Sequence, residues 1–174
     1  METDRTPPAP GAFAAAAPDA VKYYLGRARR LLDRVAREPD RDRLLAVRLA
    51  PDMFDTAFQF AVAIGFAGRA LLPAAGRAGP PPAPEDPTLD DLLAWHETVE
   101  ALIDPVRAGD LSATVAHRAG EADLVQATPG YVTCFALPNM LFHLSMGYAG
   151  LRHGGMDVGK ADFDGFHVYR PLTR

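Results

Sequence analysis

The segment TPGYVTCFALPNMLFHLSMGYAGLRH, residues 128–153, carries a long helical pattern together with a polar interruption that the rest of the chain has to accommodate. Thr128 and Pro129 suit a helix start, threonine as the cap and proline at the first position, where its missing N–H is no loss. Gly154 and Gly155 suit its end. Projected as a helix, Val132, Ala136, Asn139, Met140, His143, Met146, Gly147 and Gly150 share one face, with Asn139 and His143 at its centre. A buried amide or imidazole left without a partner costs about 1–3 kcal/mol, so this face needs polar complements from another helix. Pro138 removes a backbone bond inside the pattern, and the spacing predicts a kink over 134–138 or a fresh helix start there.

Working outward, the complements come from residues 52–72. Asp52 after Pro51 starts a helix that is apolar almost all round and therefore belongs between neighbours. Its first turns carry Asp52, Asp55, Thr56 and Gln59 in one arc, which is either the solvent-facing start of the helix or the polar partner of Asn139 and His143. Two further helices complete the pattern. Val21, Tyr24, Leu25, Ala28, Leu31, Leu32 and Val35 give three-and-four spacing over 18–37, and Thr88 with Asp90 and Asp91 opens another helix to about Val106. His96 in that helix, between Trp95 and Glu97, reads as an exposed histidine. The stretch PAAGRAGPPPAPEDP, 73–87, is a linker but no domain boundary, since neither side makes a core alone.

Residues 111–127 alternate weakly about Gly120 and read as a short hairpin or a loop. The tail from Met156 is irregular, with Phe163, Phe166 and Tyr169 available to lie back on the helices. Residues 1–17 read as an extended N-terminal arm, leaving 18–174 as a single domain. The fold expected is all-α, four helices around one core, and 174 residues suffice for that core.

A net charge of −4 gives no field for nucleic acid, and the basic run Lys22, Arg27, Arg29, Arg30, Arg34 reads as a solvated helix face balanced by Asp19, Asp33 and Glu38. No uninterrupted apolar run reaches the ~18 residues of a membrane span. Cys134 is the single cysteine, which excludes an internal disulfide, fits the cytoplasm, and reads as a packing residue, with no charged neighbour to activate it. Three readings of Asn139 and His143 stay open: a hydrogen-bond network fixing helix register, a metal site, and a small-molecule pocket with His143 as acid, base or hydrogen-bond partner.

The motifs LAPDMF (49–54), FALPN with FH (135–143) and LRHGG with VGKADF (151–163) resemble the bacterial and fungal family called domain of unknown function 1993, placed in the DinB-like superfamily of four-helix bundles. The resemblance covers roughly residues 20–165 and implies that fold, while the family itself has no established activity. Other superfamily members bind metal through one histidine of the second helix and an H-x-x-x-H pair in the fourth, some of them as thiol-dependent transferases or isomerases. His143 corresponds to the second histidine of that pair and Asn139 to the first, and the second helix here contains no histidine. The resemblance thus implies a pocket of the same position without a metal or other cofactor, lined by Asp52, Gln59, Asn139 and His143. Asp55 stands where the family often has proline.

The expectation is a protein that binds or acts on a small, largely apolar molecule in a cavity between the second and fourth helices. His143 and Asp52 are the candidate catalytic groups, and Asn139, Gln59, Asp55 and Met146 the candidate ligand contacts. Isomerase, cyclase or lyase chemistry is the class considered. The rivals are a non-catalytic binding or homodimerisation module and the superfamily's metal-dependent chemistry.

Overall fold

The computed structural model describes residues 10–167, with side chains from Ala16 onward. Helix α1 spans Pro10–Val35 and buries Val21, Leu25, Ala28, Leu31, Leu32 and Val35, the spacing that marked it in the sequence. It starts at Pro10 rather than Pro18, so residues 10–17 are helix and not an extended arm. The alanines of 14–17 explain this, being the strongest helix formers, and Pro18 is carried inside the helix. Residues 1–9 and the Phe13 side chain lie outside what is described.

Helix α2, Arg41–Leu45, buries Leu44 and Leu45 and leads to α3, Thr56–Leu71. Asp55 is the residue before α3, and its carboxylate accepts the Phe58 N–H at 2.9 Å. The helix therefore begins four residues later than the sequence suggested, and Asp52 stands exposed in the preceding turn. The segment Thr56–Ala75 is long and apolar enough to cross a membrane by composition, but 78% of it is buried inside the protein. It lies against α1, against α4 (Leu89–Ile103) and against α6 (Leu137–His153). The start of α4 is a reciprocal cap: Thr88 Oγ1 accepts the Asp91 N–H at 3.2 Å while the Asp91 carboxylate accepts the Thr88 N–H at 3.0 Å. Trp95 donates to the Ala61 carbonyl at 3.2 Å and locks α4 to α3.

The chain is mostly helical but not all-α. Strands β1, Thr114–Ala119, and β2, Ala122–Ala127, pair antiparallel, and Ala119 opposite Ala122 leaves Gly120 and Glu121 as the connecting loop. Gly120 has φ +58°, the conformation that a two-residue hairpin loop requires at its first position. Val115 is the residue by which the hairpin enters the core, which explains the weakness of the alternation: the other residues of both strands are exposed or half-buried. After the single turn α5, Thr128–Gly130, residues Tyr131–Ala136 form a π-helical segment that runs into α6. Pro138 is the reason the register changes there. It has no N–H to continue the α-helical ladder, and a π-turn immediately before it absorbs the loss.

The tail is not wholly irregular, because Lys160–Asp164 form the short helix α7. Phe163 packs beside Tyr24 and Tyr148, and Phe166 stacks on Tyr23 at 5.3 Å; Tyr169 lies outside the described residues. The basic run on α1 fastens this helix in place. Arg27 donates to the carbonyls of Ala161 and Phe163, Arg34 pairs with Asp162 at 2.7 Å, and Lys22 donates to the carbonyls of Asp104 and Val106 beyond α4. Cys134 is an exposed free thiol instead of a packed one, since the π-segment turns it outward.

Candidate functional site

His143 sits half-buried on α6 and its Nδ1 lies 2.7 Å from Oε1 of the buried Gln59 on α3. An amide oxygen only accepts, so Nδ1 carries the proton and donates, which leaves the Nε2 lone pair free. No described residue bonds to Nε2, and it is not among the unpartnered polar atoms sealed from solvent. The Phe66 ring lies nearly parallel to the imidazole at 6.0 Å, and Phe142 meets it edge-on at 5.1 Å. Burial, with the Arg69 guanidinium adding to it, holds the His143 pKa below the ordinary histidine value of 6.5. The group is therefore neutral at pH 7, with one defined tautomer and one open acceptor.

The surroundings extend along the line where α3 meets α6. Gln59, Phe66 and Arg69 follow one stripe of α3 at helical spacing, and Arg69 stands 5.1 Å over the Phe66 ring. Phe66 also meets Phe135 of the π-segment at 6.1 Å. Phe135 in turn contacts His117 of β1, at 4.4 Å, and His117 Nε2 lies 2.6 Å from Gln126 Oε1. Nothing in the sequence pattern marks His117 or Arg69, and only the packing of the hairpin against the π-segment brings His117 to this strip.

Asn139 does not pair with His143. Its Nδ2 donates to the Phe135 carbonyl at 2.7 Å, one turn back along the same chain, beside the position where Pro138 supplies no N–H. Met146 is half-buried one turn beyond His143. Asp55 spends its carboxylate on the α3 cap and on Arg48, 3.5 Å away, and lines a separate concavity of about 230 Å3 with Asp42, Asp86 and Thr88. Asp52 makes no hydrogen bond or ion pair with any described residue and is not brought to His143.

The room that Gly147 and Gly150 leave on α6 is filled by α3, not by a cavity. A Cβ on Gly147 would stand 3.1 Å from the Phe60 ring, and one on Gly150 would overlap Thr56 Oγ1. The expected enclosed space between these helices is thus a packed seam, with His143 at its open edge. His96, read as exposed, is fully buried on α4, with Nε2 3.0 Å from the Leu25 carbonyl.

These donors do not fit a metal centre of the kind that other DinB-like superfamily members hold. Asn139 and His143 stand at the positions of the H-x-x-x-H pair and α3 contains no histidine; Gln59 Oε1 already accepts from His143, and the Asn139 amide donates to its own helix. Neutral amides are poor ligands for zinc or nickel, and among the described residues no three His, Cys, Asp or Glu side chains come together as a metal site.

The family described as "Domain of unknown function (DUF1993)" matches residues 14–164. A DinB family member protein from Shewanella denitrificans, known from its crystal structure, is similar in fold. The two are 24% identical, with a TM-score of 0.77 over 93% of this chain and 99% of that one. No curated protein matches the sequence.

Proposed function

This chain belongs to the DUF1993 family and has a DinB-like fold, and from that premise we propose that it takes up a small, largely apolar molecule at the open edge of the α3–α6 seam, with His143 as its acid–base or hydrogen-bonding group. In this reading α1, α3, α4 and α6 are the four helices of a DinB-like bundle working in the cytoplasm. The observation that carries the proposal is the 2.7 Å pairing of His143 Nδ1 with Gln59 Oε1, which fixes the tautomer and leaves Nε2 open. A neutral imidazole so held accepts a proton from a carbon acid or hydroxyl and returns it, which is what a cofactor-free isomerase, cyclase or lyase needs. Phe66 and Phe135 offer the apolar flank, and Arg69 a cation at its rim.

The test compares the organic molecules that co-purify with the wild type, His143→Gln and Gln59→Leu, read by native mass spectrometry beside melting temperatures. His143→Gln keeps a donor for Gln59 but loses the imidazole. It is expected to melt within a few degrees of the wild type and to lose the retained molecule. Equal retention by that variant would overturn the proposal, and so would retention by neither protein. A second reading, a homodimer, is favoured by Phe54 and Phe142, exposed at 59% and 54%. Sedimentation at micromolar concentration decides it, a strict monomer excluding an interface built on those two rings.

A further inference from the structure

A different face of α6 joins α7 in a second place where a ligand fits. Ser145 and Tyr148 of α6, with Lys160 and Phe163 of α7, line a mostly apolar concavity of about 390 Å3 that opens to solvent. That volume lies within the ~300–1,000 Å3 of small-molecule sites. Its wall is held firmly: Tyr148 and Phe163 meet edge-on at 5.8 Å, and Tyr24 of α1 backs Phe163 at 6.1 Å.

The polar groups around it are uncommitted. Around α7 three cations have partners: Arg27 on the carbonyls of Ala161 and Asp162, Arg34 on Asp162, and Arg152 on the Val158 carbonyl. Lys160 is exposed, and its ammonium has no hydrogen bond or ion pair with any described residue. The Tyr148 phenol has none either. The Ser145 hydroxyl does not fold back on its own helix, as a helical serine ordinarily does, and is likewise without a partner among the described residues. One cation and two hydroxyls therefore belong to residues at the rim of an apolar surface, a combination complementary to an anion carried on an apolar body.

We propose that this concavity binds a small amphipathic monocarboxylate. The apolar body lies on Tyr148 and Phe163, the carboxylate pairs with Lys160, and the hydroxyls of Tyr148 and Ser145 donate to its oxygens. This site is separate from the His143 seam, and neither reading depends on the other.

The test is a titration of the full chain with octanoate, followed by amide chemical shifts, with octan-1-ol and octylammonium as controls of equal chain length. The expected result is saturable binding that moves the amides of Ser145, Tyr148, Lys160 and Phe163, with no binding of octylammonium there. Lys160→Glu, on an exposed side chain, is expected to weaken octanoate by about tenfold or more at an unchanged melting temperature. Tyr148→Phe keeps the ring and is expected to weaken octanoate but not octan-1-ol. The proposal is overturned by octan-1-ol and octanoate binding alike, by shifts confined to the His143 seam, or by an unchanged affinity in Lys160→Glu. Movement of the same amides on dilution without octanoate would also overturn it, showing a second copy seated on this surface.

Discussion

His96 and His143 have the same ring and opposite situations. In His143 one nitrogen is satisfied by Gln59 and the other has no partner among the described residues; in His96, Nε2–H donates to the Leu25 carbonyl while Nδ1 is buried with no hydrogen-bond partner, 3.8 Å from the exposed Glu100 carboxylate. Burial lowers the His96 pKa below 6.5, an effect that Leu25 and Glu100 offset in part. The folded state therefore resists a proton that the unfolded chain accepts, so the stability is fully present above about pH 6.5 and is lost as pH falls toward the folded value. Denaturant titrations between pH 5 and 7 are expected to show wild-type stability falling with acid, and His96→Met to show a shallower fall. An equal slope in both would mean that His96 titrates normally. The burial was legible in the spacing of Leu92, His96, Val99 and Ile103, which is that of one helix face. The neighbouring Glu97 obscured it, because it lies a hundred degrees away on the wheel and reports on a different face.

At the level of elements, the contact between α3 and α6 governs what the His143 edge looks like. Two glycines let α3 come close enough for Thr56 and Phe60 to lie against the α6 backbone, and Thr56 Oγ1 is itself fixed by donating to the Val47 carbonyl at 3.0 Å. Gly150→Ala sets two terms against each other. Alanine gains ~1 kcal/mol of helix propensity, while the overlap with Thr56 costs ~1–3 kcal/mol, and the fixed hydroxyl leaves the methyl nowhere to go. The expected outcome is a lower melting temperature for Gly150→Ala, partly restored by adding Thr56→Ala. A Gly150→Ala protein more stable than the wild type would mean that the helices do not approach this closely. The glycines were visible in the sequence, but whether a helix or a ligand filled their space was not, because that depends on partners about ninety residues away, Phe60 and Thr56. The start of α3 shows the same limit: Asp52 and Asp55 are equally good caps by type, and the turn ahead of the helix, where Arg48 holds the Met53 carbonyl at 2.7 Å, favours Asp55.

Over the whole molecule, the helices with clear three-and-four spacing were legible, and so was the single core, because periodicity reports burial directly. The hairpin was half-legible, its turn marked by Gly120 and its strands hidden by their exposure. The candidate site was legible in His143 and Gln59 but not in their geometry. Asp52 and Asp55 were drawn in by a helix start placed too early, and Asn139 by a shared face that it occupies while bonding to its own backbone. At the edge of the α3–α6 seam this chain carries two carboxamides, Gln59 and Asn139, beside one imidazole whose Nδ1 pairs with Gln59. The most direct test of that account is native mass spectrometry of the intact protein purified from unsupplemented cells, with elemental analysis of the same sample. The expected result is a retained organic mass without stoichiometric metal. Stoichiometric zinc or nickel would contradict it, since the described residues bring no three His, Cys, Asp or Glu side chains together to hold the ion.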